Sequence, residues 1–414
     1  MFPCYWNGKV IGYKCRDFSI PKKQPGHMWI VGNYQHMFGW NTVHTKETIA
    51  IALGEFDALA VTEATNIPCL SSPNGDSSLV KVIKRDFRAF ENYNKIVFIP
   101  DKDKDTDNPN VVQPSQAVAE AAKLLGLERC WIATPSLDDP NEYVMQNKST
   151  LLKQLFWSAV PASQELWYES SRELIQPIAF GRMTGWAEFD KRIQGLRMCE
   201  TTYILGQPGA GKTTFLCWLM WLMTQRAINM AALILEGSVR QFVTKLSHTF
   251  YGGNIFTASD AEVDEIAKQI DKHIHFARQP EKIEMAIRTA VVQHDVEVVV
   301  IDNITAISNP EEVFASTSQL VTLFDKLAAE LCIHIIILSH VKIDAYGEKA
   351  GIGSAAGSRE IGAKAYNMLA LHARKEVGLI KCRERGDAEG WWPLVYDPNS
   401  ARYIEGVRAL EFSE

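Results

Sequence analysis

Short β-branched runs separated by longer helical stretches organise the second half of the chain. Strands are predicted at Thr202–Leu205, Ala231–Leu235, Val296–Ile301 and His334–Leu338, with helical patterns of roughly 10 to 25 residues between them. Runs that are apolar on both faces belong in a parallel sheet covered by helices. From Met368 to Ile404 the pattern changes to a strand-rich meander. The first half alternates in the same way on a smaller scale. Strands at Ile49–Leu53, Lys95–Ile99 and Cys130–Ala133, with helices starting near Asp57 and Ser115, predict a small α/β domain. Between Ala162 and Gly181 the pattern loosens into a polar, amphipathic stretch with Trp167, Leu174 and Ile175, a linker with one helix. The expectation is an α/β protein of three parts: a domain over residues 1–160, a linker over 161–180 and a second domain over 181–414.

Length agrees, since 414 residues suit two domains and a connector. The longest apolar run, Phe215–Met223, is far shorter than the roughly 20 residues that cross a bilayer, and reads as a buried core helix. No basic-then-apolar signal follows Met1–Asn7, so a cytoplasmic protein without a membrane partner is expected. The eight cysteines are scattered, with no C-x-x-C pair to hold zinc, and predict reduced, mostly buried thiols. The formal net charge of −6 does not announce a nucleic-acid binder, yet a ring can gather positive charge in its channel while its exterior stays acidic.

The strongest chemical signal is Gly206-Gln207-Pro208-Gly209-Ala210-Gly211-Lys212-Thr213, followed by Thr214, directly after one predicted strand and opening an apolar helix. Glycines let the backbone curl so that its N–H groups face a triphosphate; Lys212 neutralises the terminal phosphates and the Thr213 hydroxyl ligates Mg²⁺. Asp302 ends a second strand, where a carboxylate reaches the metal, or caps a turn. Glu236 follows the strand Ala231–Leu235 and suits the general base that orients water, or else sits before a helix as a favourable N-terminal charge. His340 follows the last parallel strand, where a polar side chain can sense the γ-phosphate, although a lone histidine is more often structural.

With these residues in view, Met183-Thr184-Gly185-Trp186, Phe189-Asp190 and Gln194-Gly195-Leu196-Arg197 ahead of the glycine-rich turn resemble the opening of the DnaB-type replicative helicase domain, a RecA-like P-loop ATPase. Glu236, Asp302-Asn303, His340 with Lys342, and Gly357-Ser358 fit the same family. Within it the chain is similar to phage primase-helicases and Twinkle-like helicases, from about Lys9 to Ile404. Lys381-Cys382-Arg383 with Gly386-Asp387 resembles the segment carrying the family's arginine finger. The resemblance implies that Arg383, assisted by Lys381, acts on the triphosphate of a neighbouring subunit, and so implies a homo-oligomeric ring, usually a hexamer. An ordinary surface arginine is the alternative. Lys342, Lys349 and Arg359 are candidates for contacts to the phosphates of one DNA strand, or belong to a solvated charged loop. An aspartate usually precedes the Asn367 position in the family; here Tyr366 stands there.

The first domain resembles TOPRIM, on Gly54-Glu55-Phe56-Asp57-Ala58-Leu59, Pro73-Asn74-Gly75, the pair Asp101 and Asp103, and Asp139 ahead of Asn141-Glu142. Asp101 and Asp103 are candidate Mg²⁺ ligands. The family's catalytic glutamate precedes the first glycine, and this chain has Leu53 there. Glu55 would share the face of Leu53 if the strand continued, and so substitute in part. With no zinc module either, a domain that has lost priming is expected. The whole implies an NTP-dependent DNA helicase, using Mg²⁺ with ATP or dTTP, that acts on single-stranded and forked DNA. A replicative DNA polymerase is a candidate partner, and the host cytoplasm is the setting if a bacteriophage encodes the chain. An active primase-helicase and a RecA-like DNA-binding ATPase without unwinding are the alternatives.

Overall fold

The computed structural model describes residues 1–21, 24–44, 47–102, 116–165, 180–278, 282–304, 313–342, 347–355 and 359–405. The predicted linker helix, Asp103 and Gly357-Ser358 lie outside these. The chain divides into two units, Met1–Gln176 and Pro177–Glu414.

The first unit opens with an antiparallel sheet of β1 (Phe2–Trp6), β2 (Lys9–Arg16) and β3 (Met28–Gly32). Hydrophobic alternation does not announce it. Every residue of β3 is exposed, and β2 turns Lys14 and Arg16 inward onto a carboxylate, the reverse of the usual pattern. The main sheet holds β4 (Thr48–Ala52), β5 (Cys69–Ser71), β6 (Lys95–Ile99), β7 (Cys130–Ile132) and β8 (Val160–Pro161), in the order β5-β4-β6-β7-β8, parallel except for β8. Its helices are α1 (Glu55–Thr65), α2 (Asp76–Asp86), α3 (Gln116–Leu125), α4 (Pro140–Met145) and α5 (Ser149–Trp157).

Strand β4 stops at Ala52, so Glu55 does not share a strand face with Leu53; it is the first residue of α1. Its carboxylate is fully buried and takes Lys14 Nζ at 2.6 Å, Arg16 Nη2 at 2.9 Å and the Tyr34 hydroxyl at 3.3 Å. Those cations occupy the oxygens that a substitute metal ligand would need. Glu55→Ala would leave Lys14, itself only 4% exposed, as a buried ammonium without its counter-charge, at a cost of about 3–5 kcal/mol. Chemical denaturation of the full chain should show this as an early loss of the first unit; an unchanged midpoint would refute the account.

Among the described residues the second unit is built on nine strands: β9 (Thr201–Gly206), β10 (Met230–Ile234), β11 (Ile274–Arg278), β12 (Val298–Asp302), β13 (His334–His340), β14 (Asn367–His372), β15 (Glu376–Cys382), β16 (Gly390–Asp397) and β17 (Arg402–Glu405). They lie in the order β11-β10-β12-β13-β9-β14-β15-β16-β17, parallel through β14 and antiparallel beyond. The helices are α6 (Ala187–Ile193), α7 (Lys212–Thr224), α8 (Val239–Tyr251), α9 (Asp260–His273), α10 (Ile283–His294), α11 (Val313–Leu331) and α12 (Arg359–Lys364). Both faces of the sheet are covered, which is why β12 and β13 read as unbroken Val and Ile runs.

The apolar run of α7 is a buried core helix. Phe215 and Trp218 pack with Trp186, Phe189, Trp392 and Tyr403, each such ring contributing on the order of 2 kcal/mol or more of burial. Trp186 and Phe189 belong to the motif ahead of the glycine-rich turn. Asp190 completes it by accepting the N–H groups of Thr184 and Gly185 and the Thr184 hydroxyl. That motif is therefore packing chemistry that seats α7. Six of the eight cysteines are buried, and Cys199 and Cys332, closer to the surface, place their Sγ atoms 3.0 Å apart.

Candidate active site

Parallel neighbours carry the carboxyl ends of β9, β10, β12 and β13 to one edge, where the register sets Ile234 beside Asp302 and His340 beside Gly206. Open α/β sheets bind ligands at that edge, beside the strand where the order reverses. Gly206 ends β9, and the chain turns through Gln207–Gly211 into α7, which starts at Lys212. Gly211 has φ 89°, and a Cβ there would lie 2.8 Å from the Tyr403 hydroxyl of β17, so only glycine fits. No side chain caps the first turn of α7, which leaves its N–H groups to an anion.

Lys212 is 7% exposed. Its ammonium donates to the carbonyls of Gly206 (2.8 Å) and Gln207 (3.2 Å) and lies 3.0 Å from His340 Nδ1. Burial lowers its pKa to about 8, against the pull of Asp302 and Glu236. The Thr213 hydroxyl donates to Asp302 Oδ2 at 3.0 Å. Burial raises Asp302 to about 6, the Thr213 bond opposing and Glu236 adding to the rise. A hydroxyl and a buried carboxylate facing each other are hard oxygen ligands of the kind Mg²⁺ selects, and the pair fits a Mg²⁺–triphosphate.

Glu236 lies two residues beyond β10. Ser238, not Glu236, caps α8 by accepting the Gln241 N–H, and the Glu236 side chain is 58% exposed, open to water in the cleft. Asn303 Nδ2 lies 2.6 Å from Glu236 Oε2 and 2.8 Å from His340 Nε2. Burial, with Lys212 next, lowers the His340 pKa and keeps the ring neutral at pH 7. These groups line one cleft of about 390 Å³, together with Gln241, Lys245 and Arg374, which sequence reasoning missed. Arg374, in the turn between β14 and β15, donates to the Gly209 carbonyl at 3.2 Å. Nothing in the local pattern of a surface turn marks it.

The remaining candidates lie elsewhere. Lys381 donates to the carbonyls of Gly362 and Ala363, and Arg383, against the Tyr366 ring at 4.6 Å, to those of Ala363 and Lys364. Both hold the end of α12 and neither lines the cleft of their own protomer. Lys342 donates to the Gly353 carbonyl, while Lys349 pairs with Glu376 at 2.8 Å and lies over the Trp391 ring. Arg359 opens α12, and its side chain lies outside the described set.

Residues 181–350 match the family model described as "DnaB-like helicase C terminal domain". The second unit carries a DnaB-like helicase ATPase domain. The chain is also similar to the Twinkle homolog protein, chloroplastic/mitochondrial, of Arabidopsis thaliana, with 24% identity over 89% of this chain, and spans 60% of the length of that relative. Among solved structures it is similar to an ATPase domain at 16% identity and a TM-score of 0.48, over 57% of this chain and 95% of the other. A DnaB-like replicative helicase solved for its interactions with primase gives 14% identity and a TM-score of 0.48 over 64% of this chain and 72% of the other. Among the described residues, no helix of the chain is long and apolar enough to cross a membrane.

Outside the DnaB-like domain, the first unit has a cleft of about 1010 Å³ lined by Leu53, Gly54, Glu55, Asp57, Asn74, Gly75, Asp101, Asp139 and Asn141, together with Lys14 and Arg16. Burial, then the charge of Asp139, pushes Asp57 up to about 7. The Asp139 side chain is engaged as the cap of α4. Among the described residues, no group of three or more His, Cys, Asp or Glu side chains is arranged to hold a metal ion.

Proposed function

We propose that the chain is a ring-forming replicative DNA helicase that hydrolyses NTP to move along single-stranded DNA and open a duplex at a fork. The observation that carries this reading is the convergence of Lys212, Thr213, Asp302, Glu236 and His340 in one cleft at the carboxyl edge of a parallel sheet. In this reading the turn from Gly206 to Thr214 cradles the phosphates, and Lys212 leaves its two carbonyls for the terminal phosphate. Thr213 and Asp302 would hold Mg²⁺, which when bound would supply positive charge to offset that of the phosphates. Glu236 accepts a hydrogen bond from the attacking water and takes its proton as oxygen bonds to the γ-phosphorus and the bond to the β–γ bridging oxygen breaks. His340 donates to the γ-phosphate. Arg383, with Lys381, completes the cleft of the neighbouring subunit, and Lys342, Lys349 and Arg359 track the strand in the ring channel. Lys349 reaches DNA by giving up an exposed pair with Glu376, worth no more than about 1 kcal/mol.

For the first unit we propose a TOPRIM-like domain, over about residues 1–160, retained for packing, ring assembly or DNA handling. Leu53 offers no ligand, Glu55 is bound by two cations, and Asp139 is engaged as a cap. Ribonucleotide incorporation on a single-stranded template should be absent, and template-dependent primers would overturn this part. Unwinding of a forked duplex with MgATP or MgdTTP tests the whole. DNA-stimulated hydrolysis without strand separation would favour a RecA-like ATPase instead.

The Asp302 carboxyl gives a pH test. Below about pH 6 it is protonated and does not ligate metal; above, it is a carboxylate. Mg²⁺-dependent nucleotide binding should weaken as pH falls through 6, by roughly tenfold per unit at the acid limit. Asp302→Asn supplies the baseline that carries the phosphate's own titration, and identical slopes in the two proteins would refute the assignment. The folding linkage has its own sign. A carboxyl raised from 3.8 contributes stability that is full below that value and lost as pH rises through about 6.

A further inference from the structure

Asn303 follows Asp302 and is 2% exposed, and its amide nitrogen stands between the two polar groups that face the cleft from β10 and β13. Donor accounting constrains this arrangement. An amide nitrogen carries two hydrogens and accepts none. One goes to Glu236 Oε2 at 2.6 Å; an ionised carboxylate only accepts, so the opposite amide orientation would set oxygen against oxygen. The second points at His340 Nε2 at 2.8 Å and is accepted there when that nitrogen holds a lone pair; the opposite tautomer would set donor against donor at this contact. A neutral imidazole accepting at Nε2 carries its proton on Nδ1. That Nδ1–H faces the Lys212 ammonium at 3.0 Å, a donor against a donor. Lys212 already has two carbonyl acceptors, so its contact with His340 is the unsatisfied member of the chain.

We propose that Asn303 is the positioning residue of the cleft: one amide fixes the Nδ1–H tautomer of His340 and the orientation of the Glu236 carboxylate together. An acceptor arriving on the Lys212 side, a phosphate oxygen, satisfies Lys212 and the His340 donor at once. Because Glu236 and His340 hang from the same amide, the state of the phosphate is passed to the group that holds the water. This rests on the cleft being an NTP site, whose lining includes Asn303.

The test pairs two measurements on the full chain. Nitrogen-15 imidazole spectra, recorded where the rings are neutral and assigned with His340→Gln, should show His340 protonated at Nδ1. Asn303→Asp keeps the shape but removes both donors and adds a charge beside Glu236. It should abolish that tautomer preference and lower kcat by about 10²-fold, with KM for MgATP near wild type; the added buried charge also lowers the unfolding temperature, so turnover is compared where both proteins are folded. Asn303→Leu, which removes the donors without adding a charge, should release the tautomer as well. An Nε2–H ring in the wild type, or Asn303→Asp turning over within about threefold of wild type, would overturn the proposal. Were the wild type to hydrolyse no nucleotide at all, the NTP-site reading would fall by itself, and the imidazole spectra of wild type and variants would still decide the tautomer.

Discussion

Lys212→Ala should reduce DNA-stimulated NTP hydrolysis by at least about 10³-fold, because a desolvated cation aimed at developing phosphate charge acts where water cannot screen it. The same substitution should leave the fold intact. Alanine is the best helix former, at a position that opens α7. The carbonyls of Gly206 and Gln207 lose a donor, at about 1 kcal/mol, and this loss is offset because Lys212 is costly to bury. Its folded pKa of about 8 lies below the ordinary 10.5. Such a group contributes stability that is full above 10.5 and lost as pH falls through 8, so at neutral pH the buried ammonium is a burden on folding. The variant should therefore unfold at a denaturant concentration equal to or above that of wild type. Retained DNA-stimulated hydrolysis would remove the cleft from the mechanism, whatever the unfolding curve shows.

The pairing of a residue that is costly to bury with a catalytic task explains what the sequence could disclose. The glycine-rich turn is legible because its chemistry is local: Gly211 has no room for a Cβ beneath Tyr403, and Lys212 and Thr213 follow at fixed spacing on one helix. Glu236, Asp302 and His340 are legible by a weaker rule, as residues at or just beyond the carboxyl ends of consecutive apolar strands, and parallel register brings them together. Arg374 and Lys245 were not legible. They reach the cleft from a surface turn and from the body of a helix, and only the packing of α8 on α7 and of the β14–β15 turn against the glycine-rich loop puts them there. Asn303 stood in a recognised motif, but its two contacts come from two other strands and no spacing reports them.

In the first unit three of the parallel strands were visible, while β5 (Cys69–Ser71) and the three-stranded sheet were not. Period-two patterning assumes that one face avoids water. Strand β3 exposes Met28, Trp29, Ile30 and Val31, and β2 sends Lys14 and Arg16 to Glu55, so neither strand obeys the assumption. The misplacement of Glu55 has the same origin: alternation carried the strand past Gly54, whereas that glycine ends it and α1 begins. Strand β11, whose residues alternate in character as Ile-His-Phe-Ala-Arg, was too short and too polar at the sheet edge to separate from the helix before it.

Arg383→Ala should lower kcat by about 10³-fold or more while each protomer still binds nucleotide, since an arginine supplied to the transferring phosphoryl group is worth that much. Within one protomer the guanidinium lies on Tyr366 and on the carbonyls at the end of α12, away from the cleft. A role on phosphate therefore needs a second copy, and the decisive experiment mixes two dead proteins. Arg383→Ala protomers bring an intact Lys212, and Lys212→Ala protomers bring an intact Arg383. In random mixed rings roughly a quarter of the interfaces join one good cleft to one good arginine, so hydrolysis should return when the two are combined and co-assembled. The competing source of charge is Arg374, which lines the cleft of its own protomer. If it supplied the cation, Arg383→Ala would turn over normally and mixing would restore nothing, because Lys212→Ala would then be the only defect. Recovery on mixing is the outcome that a cis arginine cannot produce.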